Sequence, residues 1–158
     1  MRTADAPPLK AHPFVAGMAD DYIARLDHVT RYIAVPARHR LFEEGGTADR
    51  FWLIEAGQVA LDLHVPGDGP VIIETLGRGD VIGWSWLFPP FEWLLGAVTM
   101  QPTQAFELDG RSVREMCEAD PGLGHELNRR FTAVVVRRLQ ATRIRLLDLY
   151  GREKEARP

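Results

Sequence analysis

The chain has 158 residues, a formal net charge of −3, 46% hydrophobic and 26% charged residues, and a single cysteine. Such a chain can bury a sizeable single-domain core, and Cys117 alone excludes an internal disulfide and any multi-cysteine metal site. No apolar run approaches the ~20 residues of a membrane span, and the opening "MRTADAPPLKAHPF" lacks signal-peptide architecture. A cytoplasmic protein with no membrane partner is expected, with a flexible leader over residues 1–13.

Charge is spread unevenly. Residues 1–120 carry 10 Lys/Arg against 18 Asp/Glu, whereas residues 121–158 carry 9 against 4. A basic segment can address nucleic acid, but arginines also flank helical dimer seams and favour helix C-termini. With no second DNA-reading element, DNA binding by this chain alone is not expected.

In chain order, "ADDYIARLDHV" (19–29) spaces Tyr22, Ile23, Leu26 and Val29 as a short amphipathic helix. From about 30 to 108 the texture turns to brief strand-like runs: "RYIAV", "RLF", "RFWLIE", "QVALDLHV", "PVIIETL", "LLGAVTM" and "QAFEL". Glu43-Glu44-Gly45-Gly46, Ala56-Gly57, "PGDG" at 66–69 and "GRGD" at 77–80 punctuate them as turns. Many short strands at such spacing predict a rolled antiparallel barrel.

One stretch breaks the pattern. "GDVIGWSWLFPPFEWLLGAV" (79–98) crowds Trp84, Trp86, Phe88, Phe91 and Trp93 around a Pro-Pro step that neither a helix nor a central strand accepts. It reads as an aromatic loop that either lines a pocket or fills its own core.

Beyond the roll, "DGRSVREMCEAD" predicts a helix over 110–119 with Asp109 as N-cap. Cys117 falls on it as a small hydrophobe rather than a reactive thiol. Asp120-Pro121 restarts a longer helix over 121–150 that ends at Gly151, leaving 152–158 as a tail. Leu123, Leu127, Phe131 and Val134 form one apolar stripe. Thr132, Val135, Leu139, Thr142, Leu146 and Leu149 form a second, with the 3-4 spacing of a coiled-coil seam. One stripe can cover the roll; the other predicts a parallel homodimer.

An opening helix, an eight-stranded roll with glycine-marked turns and a long dimerising helix together resemble the cyclic nucleotide-binding domain. They resemble in particular the sensor half of catabolite-activator (Crp/Fnr-type) regulators, over about residues 14–151. "LFEEGGTADRFWLIEAGQVAL" (41–61) is similar to that family's second to fourth strands, with Gly45 and Gly57 at the turns. "LGRGDVIG" (76–83) is similar to the approach to its phosphate-binding cassette, and "RRLQAT" (137–142) to the central helix, where a threonine of the family faces the purine. The resemblance implies a mainly β fold: an antiparallel β-roll (jelly roll) with a short N-terminal helix and a long C-terminal dimerisation helix. It implies a signalling role.

The same resemblance exposes what is missing. The family supplies a glutamate directly after a glycine to accept from the ribose hydroxyl; here Trp84 follows Gly83. It supplies an arginine for the cyclic phosphate at a position that falls near Leu94, and no arginine occurs between Arg78 and Arg111. Losing the arginine–phosphate contact costs roughly 2–5 kcal/mol, and losing the hydroxyl acceptor about 1–3 more. Micromolar binding amounts to about 8 kcal/mol, so cyclic AMP is pushed towards millimolar affinity.

The expectation is therefore a non-catalytic, homodimeric regulatory or interaction module with a degenerate cassette and no cofactor. Its pocket candidates are Gly83, Trp84, Ser85, Trp86, Trp93, Leu94 and Thr142, the last shared with the seam. The occupant is the loop's own side chains, a small apolar ligand or a protein partner. The runner-up is a genuine receptor for cyclic AMP or cyclic GMP, binding through backbone amides and Thr142. A third reading, a cupin-like metal enzyme, would need clustered histidines; His12, His28, His39, His64 and His125 are scattered singly. The family's transcription factors continue into a helix-turn-helix; this sequence runs only seven residues past Gly151, so no such element is expected.

Overall fold

The computed structural model describes residues 6–156. Two compact units divide at Gly124 and His125.

In the first unit, α1 (Asp20–His28) precedes strands β1 (Thr30–Val35), β2 (Arg40–Phe42), β3 (Arg50–Ala56), β4 (Val59–Val65), β5 (Gly69–Leu76), β6 (Val81–Ile82), β7 (Gly96–Thr99) and β8 (Thr103–Asp109). These form two four-stranded sheets, ordered β1-β8-β3-β6 and β2-β7-β4-β5, with antiparallel pairing. This is the β-roll expected from the strand spacing. Alternation along β3 sends successive side chains to opposite faces. Phe51 stacks on Trp86 with ring centroids 4.7 Å apart, and Trp52 stacks on Phe42 at 5.4 Å.

The β3–β4 turn shows why glycine is needed there. Gly57 has φ +100°, and a Cβ on it would lie 2.5 Å from the carbonyl oxygen of Pro102 and the hydroxyl of Thr103. Only a residue without a side chain fits.

The leader expectation is corrected from residue 9 onwards. Leu9–Ala11 and Pro13–Val15 form 3-10 turns, and Leu9 and His12 are buried. The His12 Nε2 lies 3.0 Å from the Ile54 carbonyl oxygen, and its Nδ1 accepts from the Phe14 N–H at 3.1 Å. Leucine, phenylalanine and valine in this segment bury apolar surface that outweighs the proline-rich texture. Residues 1–5 of the expected leader lie outside the described residues, as do residues 157–158 of the tail.

After β8, α2 (Gly110–Ala119) is capped as expected: the Asp109 carboxylate accepts from the Ser112 N–H at 2.7 Å. Helix α3 (Pro121–Glu155) then begins on Asp120, whose Oδ1 accepts from the N–H groups of Gly122 (3.0 Å) and Leu123 (3.3 Å). The other carboxylate oxygen pairs with Arg25 of α1 at 2.7 Å.

Most of α3 belongs to the second unit. It does not stop at Gly151 but runs to Glu155, so the expected tail is largely helical. A lone glycine costs a helix about 1 kcal/mol, and the usual glycine stop is a turn to positive φ. Gly151 does not turn, whereas seven other glycines do. In this unit Leu127, Phe131 and Val134 are buried, while Val135, Leu139, Leu146 and Leu149 are exposed in the single chain. Among the described residues, no helix is long and apolar enough to cross a membrane.

Candidate functional site

The aromatic loop begins where β6 ends. Gly83 has φ +91°, and Ser85–Leu87 makes one 3-10 turn before the chain passes Pro89-Pro90 and returns through Trp93 to β7. It is tied down by backbone bonds: Gly45 N–H to the Trp93 carbonyl (2.7 Å), Trp93 N–H to the Gly46 carbonyl (2.8 Å) and Ala48 N–H to the Phe91 carbonyl (2.6 Å). The β2–β3 turn and the loop therefore brace each other. Arg114 of α2 adds a second anchor, donating to the Trp86 carbonyl and standing 4.1 Å over the Phe91 ring.

The candidate residues separate into distinct environments. Trp93 is buried and stacks on Phe42 with ring centroids 3.9 Å apart. Its six-membered ring lies against Gly83, where a Cβ would stand 2.8 Å from two ring carbons. Trp86 is buried on the opposite side of β3, against Phe51, so it does not join Trp93. Trp84 and Ser85 are half-buried, and Leu94 is 72% exposed. Thr142 lies in the second unit, exposed, with its hydroxyl donating to the Arg138 carbonyl at 2.8 Å. Of the loop candidates, Gly83 and Trp93 form a tight pair. An indole occupies the space that a glycine turn leaves open.

One charged cluster escaped the sequence reading. Glu107 of β8 is nearly buried between the sheets, and it accepts from Arg31, from Arg50 Nη1 at 3.4 Å and from Trp52 Nε1 at 2.9 Å. Its strand, "QAFELD", signals only alternation; Glu107 and its three partners meet through the β1–β8–β3 register. Together with Phe42 and Trp93, Arg50, Trp52 and Glu107 border a cavity of 460 Å³.

Other chemistries find less to work with. Among the described residues, no group of three or more His, Cys, Asp or Glu side chains could hold a metal ion. Burial raises the Cys117 thiol pKa above its ordinary value, which keeps it protonated and poorly nucleophilic.

Comparison with known proteins agrees with this architecture. The family model described as "Cyclic nucleotide-binding domain" matches residues 32–120. A CRP-like cAMP-activated global transcriptional regulator of Mycobacterium tuberculosis is 27% identical over 133 residues, 84% of this chain but 58% of that protein. The chain thus spans less than two thirds of that relative. A cyclic nucleotide-binding domain from Methylobacillus flagellatus superposes with a TM-score of 0.74 at 22% identity, over 82% of this chain and 73% of that one. The catabolite activator protein of Thermus thermophilus gives a TM-score of 0.66 at 22% identity, over 88% of this chain and 63% of that one. At these identities the likeness to the two structures shows the fold.

Proposed function

The chain belongs to the cyclic nucleotide-binding domain family, and we propose that it is a regulatory, sensor-type member whose own cassette no longer holds a cyclic nucleotide. The observation that carries this reading is the Trp93 indole packed onto Gly83. Around that contact, Trp84 and Leu94 stand where the family resemblance asks for an acid and an arginine. A cyclic phosphate needs a cation and several N–H donors in a dry site. Here the dry volume is filled by a stacked ring, and the side chain at 94 turns to solvent.

The module acts as a homodimer in this reading. Val135, Leu139, Leu146 and Leu149 expose 37%, 48%, 52% and 60% of their surface in the single chain, a stripe that water disfavours along a long helix. Ile144, Leu147 and Tyr150 widen it near the C-terminal end. Regulation rather than catalysis is the role assigned, in keeping with the regulator named for the mycobacterial relative.

Calorimetric titration of the chain with cyclic AMP and cyclic GMP tests the proposal. The expected result is no saturation below about 1 mM, from the loss of both polar anchors. Micromolar binding of either nucleotide would establish the receptor reading instead.

A further inference from the structure

The roll is open along one side. β1 is the edge of one sheet and β2 the edge of the other, and the two are not paired with each other. The cavity of 460 Å³ lies there, walled by Ile33 of β1, Leu41 and Phe42 of β2, Trp52 of β3 and Trp93 of the loop. It is distinct from the volume that Trp93 fills beside Gly83.

Its charged groups, Glu107, Arg50 and Asp49, are graded by depth, with Asp49 outermost at 53% exposed. The Glu107 side chain is 10% exposed and the Arg50 side chain 46%. Glu107 is committed to three donors, as described above. Arg50 is not: its contacts are long, 3.4 Å to Glu107 and 3.6 Å from its Nε to Asp49. A guanidinium offers five N–H donors in a planar fork suited to a carboxylate, so Arg50 retains donors for another anion.

The aromatic groups suit a ring-bearing guest. Phe42 stacks on both Trp93 and Trp52, so the three rings form one packed wall. Ring edges carry the positive side of the quadrupole and suit an anion or the face of an incoming ring. The volume falls in the range of small-molecule sites.

We propose that the cleft between β1 and β2 binds a small aromatic carboxylate, its ring packed against Ile33, Trp52 and Trp93 and its carboxylate paired with Arg50. The proposal deepens the sensor reading by naming the class of molecule sensed, and rests on that reading only for the biological role of binding.

The test is calorimetric titration of the 158-residue chain with 2-naphthoate, 2-naphthamide and 2-naphthylmethylamine. Saturable one-to-one binding of the carboxylate is expected, with the amide and the amine at least tenfold weaker. Arg50→Gln lowers carboxylate affinity to the level of the amide and leaves the amide unchanged, a split that a merely structural arginine would not give. Ile33→Trp fills the cleft and removes binding of all three. If thermal unfolding shows that a variant does not fold, the carboxylate-to-amide ratio on the unmodified chain decides alone. Equal affinity for carboxylate and amide, absence of saturable carboxylate binding, or undiminished binding by folded Ile33→Trp overturns the proposal. Cyclic nucleotide titration bears on the cassette alone, so the two readings fail separately.

Discussion

Trp93 closes over Gly83: a Cβ at position 83 would stand 2.8 Å from two carbons of the indole, while the same ring system stacks with Phe42 at a centroid distance of 3.9 Å. The pair is a plug and its seat. Gly83→Ala adds a methyl group into this contact at a φ of +91°, and overpacking with backbone strain together cost about 2–4 kcal/mol. Trp93→Ala costs about 3–5 kcal/mol by leaving a cavity. Urea unfolding of both variants measures this, and a loss below about 0.5 kcal/mol for Gly83→Ala would mean the ring moves freely aside.

The buried His12 predicts a pH dependence. Burial lowers its pKa from 6.5, with the Ile54 carbonyl, Glu55 and Asp80 partly opposing. Its Nδ1 must stay unprotonated to accept from Phe14. The unfolded chain therefore takes up this proton first as pH falls. The stability given by neutral His12 is complete above about pH 6.5 and shrinks as pH drops towards the lowered folded value. His12→Gln should be less stable than the parent at pH 7.5, with the gap narrowing by pH 5. Unfolding curves at the two pH values check the difference, and parallel behaviour would contradict it.

Arg40 and Asp62 form an ion pair 2.7 Å long across β2 and β4, with the Asp62 side chain only 9% exposed. It crosses above Gly96 of β7, where a Cβ would meet the Asp62 Oδ1 at 2.4 Å and the Arg40 Nη1 at 2.7 Å. Asp62→Ala leaves the partly buried guanidinium with only its longer contact to Glu43, 3.5 Å from Nε, and should cost about 1–3 kcal/mol, between the values for exposed and buried pairs. Gly96→Ala should break the same pair by collision, so the double variant should lose much less than the sum. A denaturation cycle of the two variants measures that coupling.

The exposed stripe on α3 predicts the oligomeric state. Light scattering during size-exclusion chromatography should give twice the 17.8 kDa chain mass. Leu139→Arg with Leu146→Arg should halve it, because a coiled-coil seam does not admit two unpaired cations. A monomeric parent chain would remove the seam assignment.

How much of this was legible beforehand depends on the range of each interaction. The strands, Asp109 as a cap and Asp120 at the head of α3 rest on neighbours within a few residues, and they were read correctly. Gly151 was misread because a helix stop is a conformation, which an isolated glycine permits without requiring. His12 was missed because its partner, Ile54, lies 42 residues away. The loop was flagged by its tryptophans, but composition could not sort Trp93, stacked inside on Phe42, from Trp86, packed on the other side of β3.

By itself the sequence determined the order of elements, the roll, the family and the absence of any arginine between Arg78 and Arg111. Those follow from periodicity, turn chemistry and the identity of single residues, all local in the chain. Only the tertiary structure decided that an indole seals the glycine turn, and that Glu107 gathers Arg31, Arg50 and Trp52 beside an open cleft. Glu107 and Trp52 are 55 residues apart; the sheet register alone makes them neighbours, and no pattern along the chain encodes which side chains then compete for the same space.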